Sequence, residues 1–83
     1  METTVGKVVH YFDNVGVAIV ELSGKVAIGD TLKFQRGEEE FEQEVTSMQV
    51  EHQPVESAKK GDAVGIKVSK KAKEGTTVLK VTA

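Results

Sequence analysis

The chain carries 83 residues, of which 39% are hydrophobic and 29% charged, with a formal net charge of −2 and no cysteine. That length closes one modest core and not two, so a single domain over residues 1–83 is expected, stabilised without disulfides or thiolate-bound metal. The charge balance excludes the strong general attraction to phosphate that a basic domain shows; the lack of a basic-then-apolar leader or a long apolar run points to a soluble, cytoplasmic protein without membrane contact.

The elements follow in chain order. VGKVVHYF (residues 5–12) and VGVAIVEL (15–22) are rich in β-branched and aromatic residues and flank Asp13-Asn14, a pair suited to a tight turn, so they are predicted to form a hairpin. The second arm is apolar on both faces, with Val15, Val17 and Ile19 on one and Ala18, Val20 and Leu22 on the other. Such a strand is expected to be covered on both sides or to bend between layers. A strand over 31–35 follows, with Leu32 and Phe34 on one face. From Glu40 to Val50 the alternation Phe41, Gln43, Val45 changes phase to Met48 and Val50, which predicts a long strand with a bulge near Thr46-Ser47; helix is the competing reading for this glutamate-rich stretch. The segment around Pro54 is expected to be a loop with at most one turn of helix. Val64, Ile66 and Val68 then alternate, and a last strand is expected over 77–81.

One pattern occurs three times: VAIGDTLKF (26–34), AKKGDAVGIKV (58–68) and AKEGTTVLKV (72–81). In each, a glycine is followed by Asp or Thr and an apolar alternation, which suits a turn that delivers the chain into a strand. Six to seven short strands without a long helix predict an all-β fold, and because closure removes exposed edges, a small closed antiparallel β-barrel is expected.

The motifs of common chemistry are absent. There is no phosphate-binding GxxxxGK loop, no HExxH, no GxSxG and no cysteine nucleophile, so no enzymatic activity, nucleotide, cofactor or metal is expected. His10 and His52 read as edge or surface histidines, and the run Glu38 to Glu44 as a solvated hairpin tip. Charge is unevenly distributed: residues 1–56 hold 11 acidic and 4 basic side chains (net −7), and residues 57–83 hold 2 and 7 (net +5). Gathered on one face, Lys59, Lys60, Lys67, Lys70, Lys71 and Lys73 would suit RNA or an acidic partner; interleaved with acidic strands they are ordinary solvated groups.

Taken in order, VGKVVHYF, GKVAIGDTLKF, FEQEVTSMQVEH, AKKGDAVGIKV and EGTTVLKV resemble the β-barrel domain of translational GTPases, the second domain of elongation factor Tu and its relatives, over about residues 5–81. The resemblance implies a non-catalytic barrel that contacts RNA or the ribosome. The family's pocket for the tRNA acceptor end, built from a Glu, a His, an Arg and an Asn, falls here on Gln49, Glu51, His52 and Ala63, all four of which depart from the pattern. VGKVVHYFDNVGVAIVEL also resembles the C-terminal part of collagenase-like peptidases, which implies instead a protein-interaction or assembly module. The expected function is thus an elongation factor-like module binding RNA or the ribosome, with a protein-binding appendage as the alternative. Candidate nucleic-acid or partner-binding residues are Gln49, Glu51, His52, Lys59, Lys60, Lys70, Lys71 and Lys73.

Overall fold

The computed structural model describes residues 2–51 and 53–81. Ten strands occur among them: β1 (Glu2–Phe12), β2 (Val17–Leu22), β3 (Val26–Ala27), β4 (Thr31–Arg36), β5 (Glu39–Glu44), β6 (Met48–Val50), β7 (Gln53–Val55), β8 (Ser57–Ala58), β9 (Ala63–Lys67) and β10 (Thr77–Val81). Eight of them form one antiparallel sheet in the order β5-β4-β10-β1-β2-β9-β6-β7, and β3 pairs with β8 in a separate two-stranded ladder. The all-β, antiparallel expectation holds, and there is no helix among the described residues. The count exceeds six to seven because Val26–Ala27 forms an additional short strand, the expected long strand over 40–50 breaks into two and the segment after it contributes two short strands. Backbone pairing does not join the end strands β5 and β7, so the ladder itself is open.

The sheet nevertheless wraps. Strands β5 and β9 stand five steps apart in the order, about 24 Å on a flat sheet at roughly 4.8 Å per step. Yet the Gln43 side-chain amide on β5 donates to the carbonyl of Lys67 at the end of β9 (2.7 Å), and its oxygen accepts from the backbone N–H of Ser69 (2.8 Å). Only a strongly curled sheet brings these groups together, and its concave face encloses one core to which Val8, Val20, Phe34, Met48, Ile66 and Val78 each contribute from a different strand. Changing Gln43→Ala leaves these two backbone groups without their partner. It is expected to cost about 1 kcal/mol and to speed amide exchange at Ser69, read by hydrogen-exchange NMR.

The threefold glycine pattern has one structural cause. The amides of Asp30, Asp62 and Thr76 donate to the carbonyls three residues back, of Ala27 (3.1 Å), Lys59 (3.0 Å) and Lys73 (3.1 Å). The glycine before each, Gly29, Gly61 and Gly75, has φ of 97°, 95° and 91°, as the third position of a type II turn requires. Each side chain then bonds back to the first residue of its own turn: Asp30 and Asp62 accept from the N–H of Ala27 (2.8 Å) and Lys59 (3.1 Å), and the Thr76 hydroxyl donates to the Lys73 carbonyl (2.6 Å). These are three copies of one turn, each aiming the chain into β4, β9 or β10.

Three local expectations are corrected. The connection after β1 is a four-residue turn over 13–16 whose last residue, Gly16, takes φ 65° and whose amide bonds to the Phe12 carbonyl (2.9 Å), so β2 begins at Val17 and not Val15. In place of a one-residue bulge, Val45, Thr46 and Ser47 separate β5 from β6; the buried Val45 exchanges backbone hydrogen bonds with Asp30 and Gly29 (2.8 and 2.9 Å), which turns the chain from one side of the sheet to the other. The Pro54 segment is not loop but β7, a three-residue end strand, where a residue without an N–H is tolerated.

Candidate functional site

The double-sided apolar pattern of β2 produces the most apolar hollow on the surface described. Ala18, Val20 and Leu22 enter the core, but among the described residues no element covers the other face: Val17 and Ile19 are only half-buried, and in the turn before them Val15 is 60% exposed. Ile19 pairs across the ladder with Gly65 of β9, which in turn pairs with Gln49 of β6, and Val17 pairs with Phe12 of β1. Since Gly65 has no side chain, the surface dips between β2 and β6. The result is a groove of about 370 Å³, with Phe12, Val15, Val17 and Ile19 along one wall and Gln49, Glu51 and Ala63 along the other. Phe12 is 46% exposed and meets His10 edge to face at 4.4 Å between ring centres.

Glu51 enters this rim at a conformational cost. It is the first of two residues connecting β6 to β7, since Val50 pairs with Gln53, and its φ of 52° makes it the one non-glycine residue with positive φ among the described residues. Two-residue hairpin turns need that conformation at their first position and ordinarily place Asn, Asp or Gly there, so glutamate is held against local preference. Glu51→Asn is expected to raise stability by about 0.5–1 kcal/mol, measurable as a higher urea midpoint.

The candidate residues do not form one surface. Gln49 and Glu51 come together in the groove with Ala63, while His52 lies outside the described residues. Lys59 and Lys60 occupy the turn before β9, where the Gly61 amide bonds to the Leu22 carbonyl (3.0 Å). Lys70, Lys71 and Lys73 lie in the loop after β9, which starts beside Gly16 through the Val68 amide (2.9 Å). The two groups are therefore separated by the length of β9, about 16 Å for a strand of five residues. Of the two arrangements open for the lysines, one shared face or dispersed groups, the strand order gives two separate groups. In the second, Lys71 and Lys73 line a small hollow of about 180 Å³ with Arg36, Glu39 and Phe41, and Lys71 lies 3.9 Å from Asp13.

The acidic run is solvated, apart from Glu40. Its carboxylate and that of Glu2 each stand 3.1 Å from the Lys33 ammonium, and their hydrogen bonds, Glu2 first, hold Lys33 charged above its usual range. This contribution is complete at neutral pH and fades only as strongly alkaline pH rises through the raised value. A broader hollow of about 710 Å³ crosses β1 over Gly6 and is lined by Thr4, Lys7, Glu21 and Glu74 among others, without the continuous apolar wall of the groove. No group of three metal-ligating side chains occurs among the described residues, and no helix among them is long and apolar enough to cross a membrane.

Sequence reasoning missed Phe12, Val17, Ile19 and Gly65 as site residues. The available signal was β2 itself: in a domain built around a single core, a strand apolar on both faces leaves one apolar face outside that core.

Comparison with known proteins bears on which kind of domain this is. No family model matches the chain. A protein of Methanocaldococcus jannaschii named as an uncharacterized protease is 41% identical over 75 residues, which is 89% of this chain but only 18% of that protein. Among solved structures, the C-terminal domain of a candidate U32 peptidase from Geobacillus thermoleovorans has a TM-score of 0.89 at 23% identity, over 96% of this chain and 93% of that one. Its selenomethionine variant gives 0.85 at 23% identity, over 90% and 95%. These findings overturn the expected kinship with translation-factor barrels, and with it the elongation factor-like function. The physical reason is that the motifs behind that resemblance are turns and alternations that this strand order demands, whereas the positions tied to tRNA binding, Gln49, Glu51, His52 and Ala63, all differ. What the chain is similar to is a segment of a protease-named protein and, in fold, the C-terminal domain of a candidate peptidase.

Proposed function

We propose that this chain is a non-catalytic protein-interaction module of the kind appended to peptidases, acting in the cytoplasm by holding a protein partner against the outer face of β2. The observation that carries this reading is the 41% identity over 75 residues to part of a protease-named protein, with the uncovered apolar groove as the means of contact. An apolar wall with one carboxylate at its rim suits a protein surface far better than a phosphate backbone. The absence of catalysis rests on the missing nucleophile and metal motifs, and the cytoplasmic setting on the cysteine-free sequence. The wrap of the sheet and the Gln43 bridge support reading the architecture as a barrel whose seam is joined by side-chain rather than backbone hydrogen bonds.

Affinity purification of the tagged chain with nuclease treatment, together with incubation of the chain alone with casein, tests this reading. A protein partner retained after nuclease treatment and no casein cleavage are expected. Recovery of nucleic acid or ribosomes alone, or cleavage by the isolated chain, overturns it.

A further inference from the structure

We propose that the groove over Gly65 receives an apolar side chain from a protein segment whose neighbouring Arg or Lys pairs with Glu51. This rests on the reading of the chain as an interaction module and names the chemistry of its partner.

Three observations converge on that chemistry. The first is shape. A β-carbon at position 65 would lie 3.2 Å from Val17 Cγ1 and 3.4 Å from Ile19 Cδ1, so these two side chains lean over the glycine and leave a slot rather than a flat sheet. At about 370 Å³ the groove accommodates one or two side chains of a peptide and is too small for a folded domain to enter. The second is charge. The groove-lining residues carry a single charge, the Glu51 carboxylate, and no ion pair engages it among the described residues. Glu21 lies across the ladder from Ala63 on the same outer face but is opposed there by Lys7 of β1, and Lys67 stands at the other end of β9 opposite Val17, so Glu51 is the carboxylate left for a partner's cation at this end. A partner is therefore attracted when a cation follows its apolar anchor, and an acidic one is repelled. The third is local strain. Glutamate occupies a turn position that Asn or Gly fills at lower cost, which is expected where a side chain is required for contact and not for folding.

The test uses capped six-residue peptides and the methyl NMR signals of Val15, Val17 and Ile19, with Ile28, an exposed residue outside the groove, as control. Peptides with a central Leu or Phe next to Arg are expected to shift the three groove methyls and leave Ile28 unmoved. Replacing the Arg by Glu, or the apolar residue by Ser, is expected to abolish the shift. Glu51→Gln should weaken binding about two- to fivefold, the range for a partly exposed ion pair. Gln49→Lys, at an exposed position on β6, should weaken it further by like-charge repulsion. Equal binding of the Glu peptide, unchanged affinity in Glu51→Gln, or the same shifts from a short single-stranded RNA would each overturn the inference. If the nuclease-resistant protein partner is retained by Gln49→Lys and Glu51→Gln while the peptides fail, the module reading stands and this groove assignment falls.

Discussion

Replacing Phe34 by alanine is expected to lower stability by about 3–5 kcal/mol, the usual cost of emptying a fully buried aromatic site. The ring is 1% exposed and stacks on Phe41, with centroids 5.0 Å apart and planes within 8°. Phe34 sits in the middle of β4 and pairs with Val78 on one side and Phe41 on the other, so its loss opens the core where two ladders meet. The surrounding strands are held by paired backbones and cannot collapse into the space. A domain of this length has roughly 4–12 kcal/mol of stability in all, so the variant is expected to be partly unfolded or to melt at least about 12 °C lower. Phe34→Leu refills most of the volume and is expected to lose much less. Urea denaturation of both variants checks the argument; a loss below about 1 kcal/mol for Phe34→Ala would mean that β4 does not anchor the core.

Gly6→Ala is expected to be the most harmful single-methyl change in the chain. A β-carbon at position 6 would lie 2.7 Å from the backbone carbonyl oxygen of Glu21 and 2.7 Å from Val20 Cγ1. Position 6 is paired on both sides, to Leu22 of β2 and to Val78 of β10, so β1 cannot move away from one neighbour without disturbing the other. Overpacking of this kind costs about 1–3 kcal/mol, more than the roughly 0.5–1 kcal/mol that alanine recovers over glycine inside a regular element. Gly65→Ala supplies the contrast. There the nearest atoms are methyl groups of two half-buried side chains at 3.2 and 3.4 Å, free to swing toward solvent, and little change in stability is expected. The comparison separates clash from glycine flexibility: if both variants gain stability, the close approach at Gly6 is not limiting. Gly65→Ala also fills the floor of the groove, so a folded variant with weakened peptide binding is the expected result.

The two readings of the charged segments were decided by topology. The lysines of residues 57–83 are close in sequence and could have shared one face, but β9 runs between them and carries Lys59 and Lys70 to its opposite ends. Gln49 and Ala63, by contrast, are fourteen positions apart and meet in one groove because β6 and β9 are paired. The break after Glu44 was visible as a change of phase, yet its extent was not, since Val45 is held by hydrogen bonds to the distant turn at Gly29 and Asp30.

By itself the sequence determined most of the local features: the strands β1, β2, β4, β9 and β10, read from alternation; three turns, though not their type, read from a glycine followed by Asp or Thr; and the inward faces of β2, β4 and β9. Those features depend on residues within a few positions of one another, so periodicity and turn chemistry suffice. Only the tertiary structure decided that the outer face of β2 stays bare, that Gly65 deepens it, and that Glu51 stands at its rim. Alternation tells which side chains share a face, but what covers that face depends on how far the sheet curls and which distant strand lies alongside.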